Sequence, residues 1–371
     1  MTYDLAVVGA GIVGLAHALA AARKGLSVVV IDRDAQANGA SIRNFGLVVV
    51  TGQEEGRARS HAERSRDIWI ELAGEAGIDV LQRGKVVVAQ RPEAMALLET
   101  FRAGPSGAQC RLLTPAETAG MIKGIDPAAI VGGMFSPHEL RVESRVAIPK
   151  LAAFLEQRYG VAFRHGHAVT AVAPPHVETS GGDISAAKVV VCPGDDLGAL
   201  FPERIAQRQV TRCKLQMLRL ASPGHRLPSA LVSDLSLLRY GGYSALPEAA
   251  PLRARLSEER GAELANGVHL IVTQSADGSL VVGDSHHYGH TPDPFGLQDV
   301  DALMLREFEV LFGRAPAVTE RWIGTYASAP DHAYFADTPM PDVRLVMVTS
   351  GTGASTGFAI GEETVADLFG L

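Results

Sequence analysis

The chain has 371 residues, enough for two to three domains, and 47% of them are apolar, enough for a large core. Its 34 basic and 41 acidic residues give a formal charge of −7, and no basic run interleaves with aromatics, which excludes a nucleic-acid-binding face. The opening "MTYDLAVVGAG" lacks a positive n-region and its apolar stretch is broken by glycines. Nowhere do about eighteen apolar residues run together, so the expectation is a cytoplasmic protein with no membrane span. Cys110, Cys192 and Cys213 are odd in number and show neither CxxC nor His-paired spacing. They read as buried thiols, with no disulfide frame and no metal site.

In chain order, residues 3–32 read as strand, glycine turn, helix and strand, a βαβ unit. After a polar loop, residues 53–77 have the periodicity of one long amphipathic helix with Trp69, Ile70 and Leu72 among its apolar positions. "KVVVAQ" at 85–90, "RLL" at 111–113 and "GGMFS" at 132–136 read as strands between short helices. "SRVAIPKLAAFLEQRYGVAF" reads as helix then strand, and "AKVVVCPGDDLGALF" as a buried strand, a glycine turn and a short helix. From 206 to 325 alternating strands dominate, with a hairpin signal at "ADG" and one helix near 298–312. "VRLVMVTSGTGASTGF" ends the chain on strand, loop and helix. The α/β pattern is interrupted twice by β-rich segments. The expected fold is α/β, a Rossmann-like nucleotide-binding domain with an inserted antiparallel-sheet α+β domain.

Gly9, Gly11 and Gly14 form G-x-G-x-x-G directly after an apolar strand and before an alanine-rich helix, with Asp32 closing the next strand. Glycines there let the backbone approach a pyrophosphate at the N-terminus of the helix that Ile12 and Val13 begin, and the acid accepts from a ribose hydroxyl. Dinucleotide binding follows, with Arg33 beside the acid.

A second glycine-rich strand–loop–helix, "VTSGTGAST", distinguishes the nucleotide. A nicotinamide needs one phosphate turn, whereas a flavin must also have its isoalloxazine held from the far end of the fold. Gly351 and Gly353 let backbone N–H groups approach the pyrimidine ring, and a helix starting near Ser355 aims its positive end where reduction places negative charge. The cofactor expected is FAD.

The segments "VVGAGIVGLAHALAAARKGLSVVVIDRD", "VVVCPGDDLGALF", "RWIGTYASAPDH" and "VTSGTGASTGFAIGEETVADL" fall in the order and spacing of the D-amino-acid oxidase superfamily. The chain resembles that superfamily over nearly its whole length, and within it the glycine oxidase and sarcosine oxidase branches. "GASIRNFGLV" at 39–48 and the compact C-terminus resemble the FAD-dependent oxidoreductases associated with aminophosphonate breakdown. The resemblance implies hydride transfer from the α-carbon of a neutral amine to flavin N5, followed by imine hydrolysis. It assigns residues 1–80, 144–205 and 326–371 to a discontinuous FAD-binding domain, and 81–143 and 206–325 to the substrate domain. It matches Gly9, Gly11, Gly14 and Asp32 to the ADP motif and Gly194 to the glycine after the interior strand. Ser41, Arg43 and Asn44 match the loop that passes the pyrophosphate and flavin, and Val169 the backbone contact to adenine. Gly351, Gly353, Ala354, Ser355 and Thr356 match the isoalloxazine loop.

Departures from the family pattern bear on substrate. Where the resemblance expects an arginine that clamps an α-carboxylate, the run Trp322, Ile323, Gly324, Thr325, Tyr326 supplies a tyrosine. An ordinary α-amino acid then lacks its bidentate anchor, which agrees with an anion further from the amine, as in 2-aminoethylphosphonate. The cysteine that anchors flavin in sarcosine oxidases aligns with Gly324, so the FAD is expected to be non-covalent. The lysine that activates oxygen aligns with Val281, which leaves O2 or another carrier as the electron acceptor. Candidate phosphonate cations are Arg141, Arg145, Arg212, Lys214, Arg239, His286 and His287. Tyr240, Tyr243 and Trp322 are candidate lining residues, and His286 and Tyr326 candidate catalytic ones. The function expected is oxidative deamination or N-demethylation of an aminophosphonate, a small-molecule amine being the partner. The alternatives are a glycine- or sarcosine-type small amine or amino-acid oxidase, and a flavin-binding scaffold without turnover.

Overall fold

The computed structural model describes residues 2–371. Two sheets organise the chain. The first runs in the order Tyr334–Asp337, Val343–Val348, Ile184–Val191, Thr2–Val8, Val28–Asp32, Ala162–His165. Its pairs are parallel except at the Tyr334–Asp337 edge, and a hairpin of Val169–Ala173 with His176–Thr179 attaches to Ile184–Val191. The central strands are continuous valine, isoleucine and leucine runs because both faces are covered. Helices Ile12–Arg23, Ser144–Tyr159 and Gly353–Phe369 cover one face, with Arg57–Glu75 packed beyond. The first and last of these touch backbone to backbone. A Cβ at Gly361 would lie 2.9 Å from Ala16 O, so the C-terminal helix can lie against the first only with glycine there.

The second sheet gathers both β-rich segments into ten strands. Val80–Ala89 pairs with Gly132–Val142, and Ala230–Val232 joins it in parallel; Ile271–Gln274 and Leu280–Gly283 form the hairpin signalled by "ADG". Thr211–Leu220 and Val318–Ser328 form its longest pairing. The short strand Leu47–Val48 also belongs here, against Leu140–Arg141. Helix Gln298–Phe312 covers the outer face with Val300, Met304, Phe308 and Leu311. The inner face carries Phe45, Leu215, Met217 and Ile271, and it fronts the carboxyl ends of the parallel strands.

The segment expected to carry one helix near 298–312 also holds the helix Ala249–Glu259, with Leu252 and Leu256 buried, and two short helices, Gly241–Ser244 and Gly261–Ala265. The helix expected over 53–77 begins at Arg57, because Gly56 adopts φ 91°. The short helix after "VVVCPG" is Pro202–Ala206, preceded by a loop whose Asp196 side chain accepts from the Gly198 and Ala199 amides. No described helix is long and apolar enough to cross a membrane.

Candidate functional site

A cleft of about 770 Å³ runs between the two sheets. Gly9, Gly11, Ile12, Val13, Gly14, Asp32, Arg33, Val169 and Gly194 line one end. Ser41, Arg43 and Asn44 line its flank, and Gly351, Gly353, Ala354 and Ser355 reach it from the C-terminal loop. The turn is held from two sides: Ala10 N donates to Asp32 Oδ2 at 2.6 Å and Ile12 N donates to Ser41 Oγ at 2.9 Å. Gly9, at φ 105°, passes so close to the Cys192 carbonyl that no side chain fits. Asn44 braces the loop by donating to Ala40 O and accepting from Gly46 N and Ser144 Oγ. Ser355 accepts from Val49 N at 2.9 Å, which ties the start of the last helix to the second sheet.

This shape answers the question of cofactor fit. A helix N-terminus whose N-cap residue is a glycine opens at Gly11, an acid stands at the end of the second strand, and a second glycine turn faces both across one continuous cleft. That layout accepts an extended dinucleotide with its pyrophosphate at the first helix and its ring system against the second. Residues 4–367 match the family model described as FAD dependent oxidoreductase (DAO). The chain belongs to this family. Its cofactor is accordingly FAD and its activity that of an oxidoreductase. No curated protein matches at the sequence level. Among solved structures, glycine oxidase from Geobacillus kaustophilus superposes with a TM-score of 0.78 at 19% identity, over 99% of this chain and 95% of that one. L-proline dehydrogenase from P. horikoshii gives 0.78 at 18%, over 98% and 92%. Iminodiacetate oxidase from Chelativorans sp. BNC1 gives 0.74 at 17%, over 99% and 95%. At these identities the likeness is one of fold.

In this member of the family, the part of the cleft beyond the glycine turns is walled by Arg239, Tyr240, His269, Asp284, His286, Tyr288 and Tyr326. Arg239 donates from Nη1 to Tyr288 Oη and from Nη2 to Tyr326 Oη, each at 3.0 Å. Burial opposes its charge, and Tyr326, Tyr288 and Asp284 more than offset this and keep it protonated. Burial likewise pushes the Tyr326 phenol well above its ordinary range and raises Tyr288, so both carry their protons. The other candidate cations are engaged elsewhere. Arg141 is buried and donates to Phe45 O, Gln274 O and Glu143; Arg145 pairs with Glu320. Arg212 donates to the Asp195 and His290 carbonyls, and Lys214 binds Asp293.

Besides these four cations, four more of the residues singled out from sequence do not line the cleft. Tyr243 is buried behind the wall, its ring 4.5 Å from that of Phe101. His287 faces the other way and meets Asn266 Oδ1 at 3.1 Å, since neighbours on a strand point to opposite sides. Trp322 donates to Arg43 O and lies under Arg145, so it supports the loop from outside. Thr356 donates to Thr352 O within the last helix.

Three wall residues were not found by sequence reasoning: His269, Asp284 and Tyr288. The strand edge opposite Thr211–Leu220 is broken between Gly283 and His287, and Gln216 N donates to Ser285 Oγ across the gap. Asp284 and His286, two apart in this interruption, both face the cleft. That i, i+2 spacing beside a candidate histidine was the available signal. His269 arrives only through strand pairing: its amide donates to the Asp284 carbonyl. Cys213, the cross-strand partner of Tyr326, is fully buried, and burial raises its thiol to about 11.

Proposed function

We propose that the chain is an FAD-dependent amine oxidoreductase whose substrate is a small amine carrying a separate anion, of the aminophosphonate class, which it deaminates or N-demethylates. One observation carries this reading: the Arg239 fork is held by two protonated phenols at the substrate end of the cleft. Each phenol accepts from the guanidinium and keeps its own O–H to donate. The three groups therefore offer more donors, spread over a wider arc, than a planar carboxylate needs, and they suit a three-oxygen dianion. Arg33 and Arg43, the remaining arginines on the cleft, lie towards the dinucleotide end, where Arg33 pairs with Asp196 and Arg43 with Asn38. The flavin, when bound, supplies the hydride acceptor. Tyr326 rests against the second glycine turn, since a Cβ at Gly351 would meet its ring carbon at 3.1 Å; the anion-binding group is thus fixed relative to the flavin loop.

A glycine- or sarcosine-type substrate is the competing class, and the amine and amino-acid enzymes among the fold neighbours keep it in the test. Anaerobic mixing of the holoenzyme with 2-aminoethylphosphonate, its N-methyl derivative, glycine and sarcosine separates them. Bleaching of the flavin by the phosphonates at lower concentration supports the proposal. Bleaching by glycine or sarcosine alone overturns it in favour of the competing class, and bleaching by none overturns both substrate classes.

A further inference from the structure

Beside the Tyr326 phenol, the cleft wall holds two groups 3.5 Å apart that can each accept a hydrogen bond. Asp284 and His286 are 6% and 7% exposed, and both line the cleft. His286 Nδ1 is 2.9 Å from Gly267 O, a carbonyl that only accepts, so Nδ1 carries the proton and Nε2 of the neutral ring presents a lone pair. That Nε2 lies 3.5 Å from Asp284 Oδ2. Among the described residues no hydrogen bond reaches Asp284 Oδ1; His269 Nε2 approaches it at 3.0 Å but out of line, its ring fixed by Ser236 Oγ at Nδ1. His269 Nε2 at 3.0 Å is thus the one close contact for two carboxylate oxygens, and the lone pair of His286 Nε2 aimed at Oδ2 is unfavourable. The arrangement is complete only when a cation with at least two N–H donors enters.

We propose that Asp284 and His286 receive the amine end of the substrate, with Asp284 accepting one N–H of the ammonium and His286 Nε2 taking a proton from it. The inference rests on the reading of the chain as an amine oxidoreductase. A protonated amine has no lone pair with which to expel hydride from its α-carbon, so the proton must leave first. In the step proposed, one N–H bond of the ammonium breaks, its electron pair stays on nitrogen, and a new N–H bond forms on Nε2. No electrons change hands between molecules. The imidazolium so formed is paired with the Asp284 carboxylate.

Electrostatics keep the acceptor empty in the free site, and the transfer requires that the bound substrate first relieve what holds His286 down. Burial pushes His286 down to about 3, against the pull of Asp284 and with help from Arg239 and His269, so the free site keeps Nε2 unprotonated at neutral pH. Burial also pushes Asp284 up, but His286 when charged, His269 and Arg239 outweigh it, so the carboxyl is held below its ordinary range. Tyr326, whose ring centroid is 6.4 Å from that of His286, and Tyr240, 6.3 Å from His269, complete the surroundings, and burial keeps both phenols neutral. Besides burial, the permanent positive charge of Arg239 opposes proton uptake. A substrate anion bound to Arg239 cancels it, so anchoring the anion makes His286 a better proton acceptor.

His269, Asp284 and His286 also offer three ligand atoms within 4.8 Å of one another, as a metal site would. The charge of Arg239 beside them disfavours a divalent cation, and the experiment includes that case. Holoenzyme, Asp284→Asn and His286→Asn are compared by flavin absorbance on titration with 2-aminoethylphosphonate and ethylphosphonate, and by the pH profile of anaerobic flavin reduction. The wild type should bind the amine at least tenfold tighter than its amine-free analogue, and Asp284→Asn should lose that preference while binding ethylphosphonate as before. His286→Asn should reduce flavin about a hundredfold more slowly at pH 7 and recover towards the solution pKa of the amine, roughly 10. A preserved preference in Asp284→Asn, or an unshifted profile in His286→Asn, overturns the inference. So does loss of reduction on dialysis against a chelator with recovery on adding Zn²⁺ or Mn²⁺. If sarcosine alone reduces the flavin and does so through the same two residues, the phosphonate reading fails and this inference stands.

Discussion

Arg239 Nη2 donates to Tyr326 Oη at 3.0 Å, joining residues 87 apart in the sequence across the substrate end of the cleft. The tyrosine stands where the family resemblance leads one to expect a carboxylate-binding arginine. The guanidinium is therefore present but enters from a different element, after the turn Asp234–Leu238 of the second sheet's domain. On the proposed reading, a cation displaced in this way would bind an anion at a different distance from the amine.

Removing either partner has a distinct signature. Arg239→Ala deletes a charge-assisted contact of about 1.5 to 3 kcal/mol, so kcat/KM for 2-aminoethylphosphonate should fall roughly tenfold to a hundredfold. An amine with no anion should be nearly unaffected. Tyr326→Phe removes a hydroxyl bonded to charged groups, about 1.5 kcal/mol at the low end of the same range, and should cost the phosphonate about tenfold. Equal losses for charged and uncharged amines would place the anion elsewhere.

Gly11 faces Ser41, and a Cβ there would sit 3.0 Å from its Oγ, the atom that accepts from Ile12 N. Gly11→Val should therefore displace the loop and occupy the pyrophosphate position. The purified variant is expected to be folded by circular dichroism and colourless. A yellow variant with full flavin content would mean that the pyrophosphate lies away from this turn.

The FAD should leave the chain on denaturation. Gly324 offers no thiol; Cys213, near the site, is fully buried with its thiol raised to about 11; and Cys192 is buried at the dinucleotide end. A thiol held protonated is a poor nucleophile towards the flavin. After acid precipitation the yellow colour should be in the supernatant, and colour in the pellet would show a covalent bond.

His17 lies fully buried in the first helix, with Nδ1 2.7 Å from Val13 O. Burial pushes it down to about 4, against an ordinary value of 6.5. The unfolded chain takes up this proton first, so its contribution is complete above pH 6.5 and is lost as pH falls towards 4. The loss is about 3 kcal/mol by linkage. His17→Asn, which keeps the donor to Val13, should flatten the fall of Tm between pH 6.5 and 4. An unchanged slope would assign the acid sensitivity to other groups.

The nucleotide half of this protein was legible in its sequence because its determinants are local. Gly9, Gly11, Gly14 and Asp32 lie within one βαβ unit, and Gly351 to Ser355 within one loop and helix start, so strand period, helix period and glycine spacing specify them directly. Even the meeting of the two glycine segments was foreseeable from what a flavin requires, although the contact of Gly361 with Ala16 that brings the helices together was not. The substrate end depends on pairings between distant segments. His269 reaches Asp284 through two strands of a hairpin, Arg239 reaches Tyr326 between separate elements, and the gap at 284–286 exists only because residues on either side pair with Thr211–Leu220. Alternation along a strand tells which residues share a face but not which face meets the cleft. His287 and Trp322, chosen from the sequence, accordingly point away, while Asp284 and His269, which it did not single out, point in.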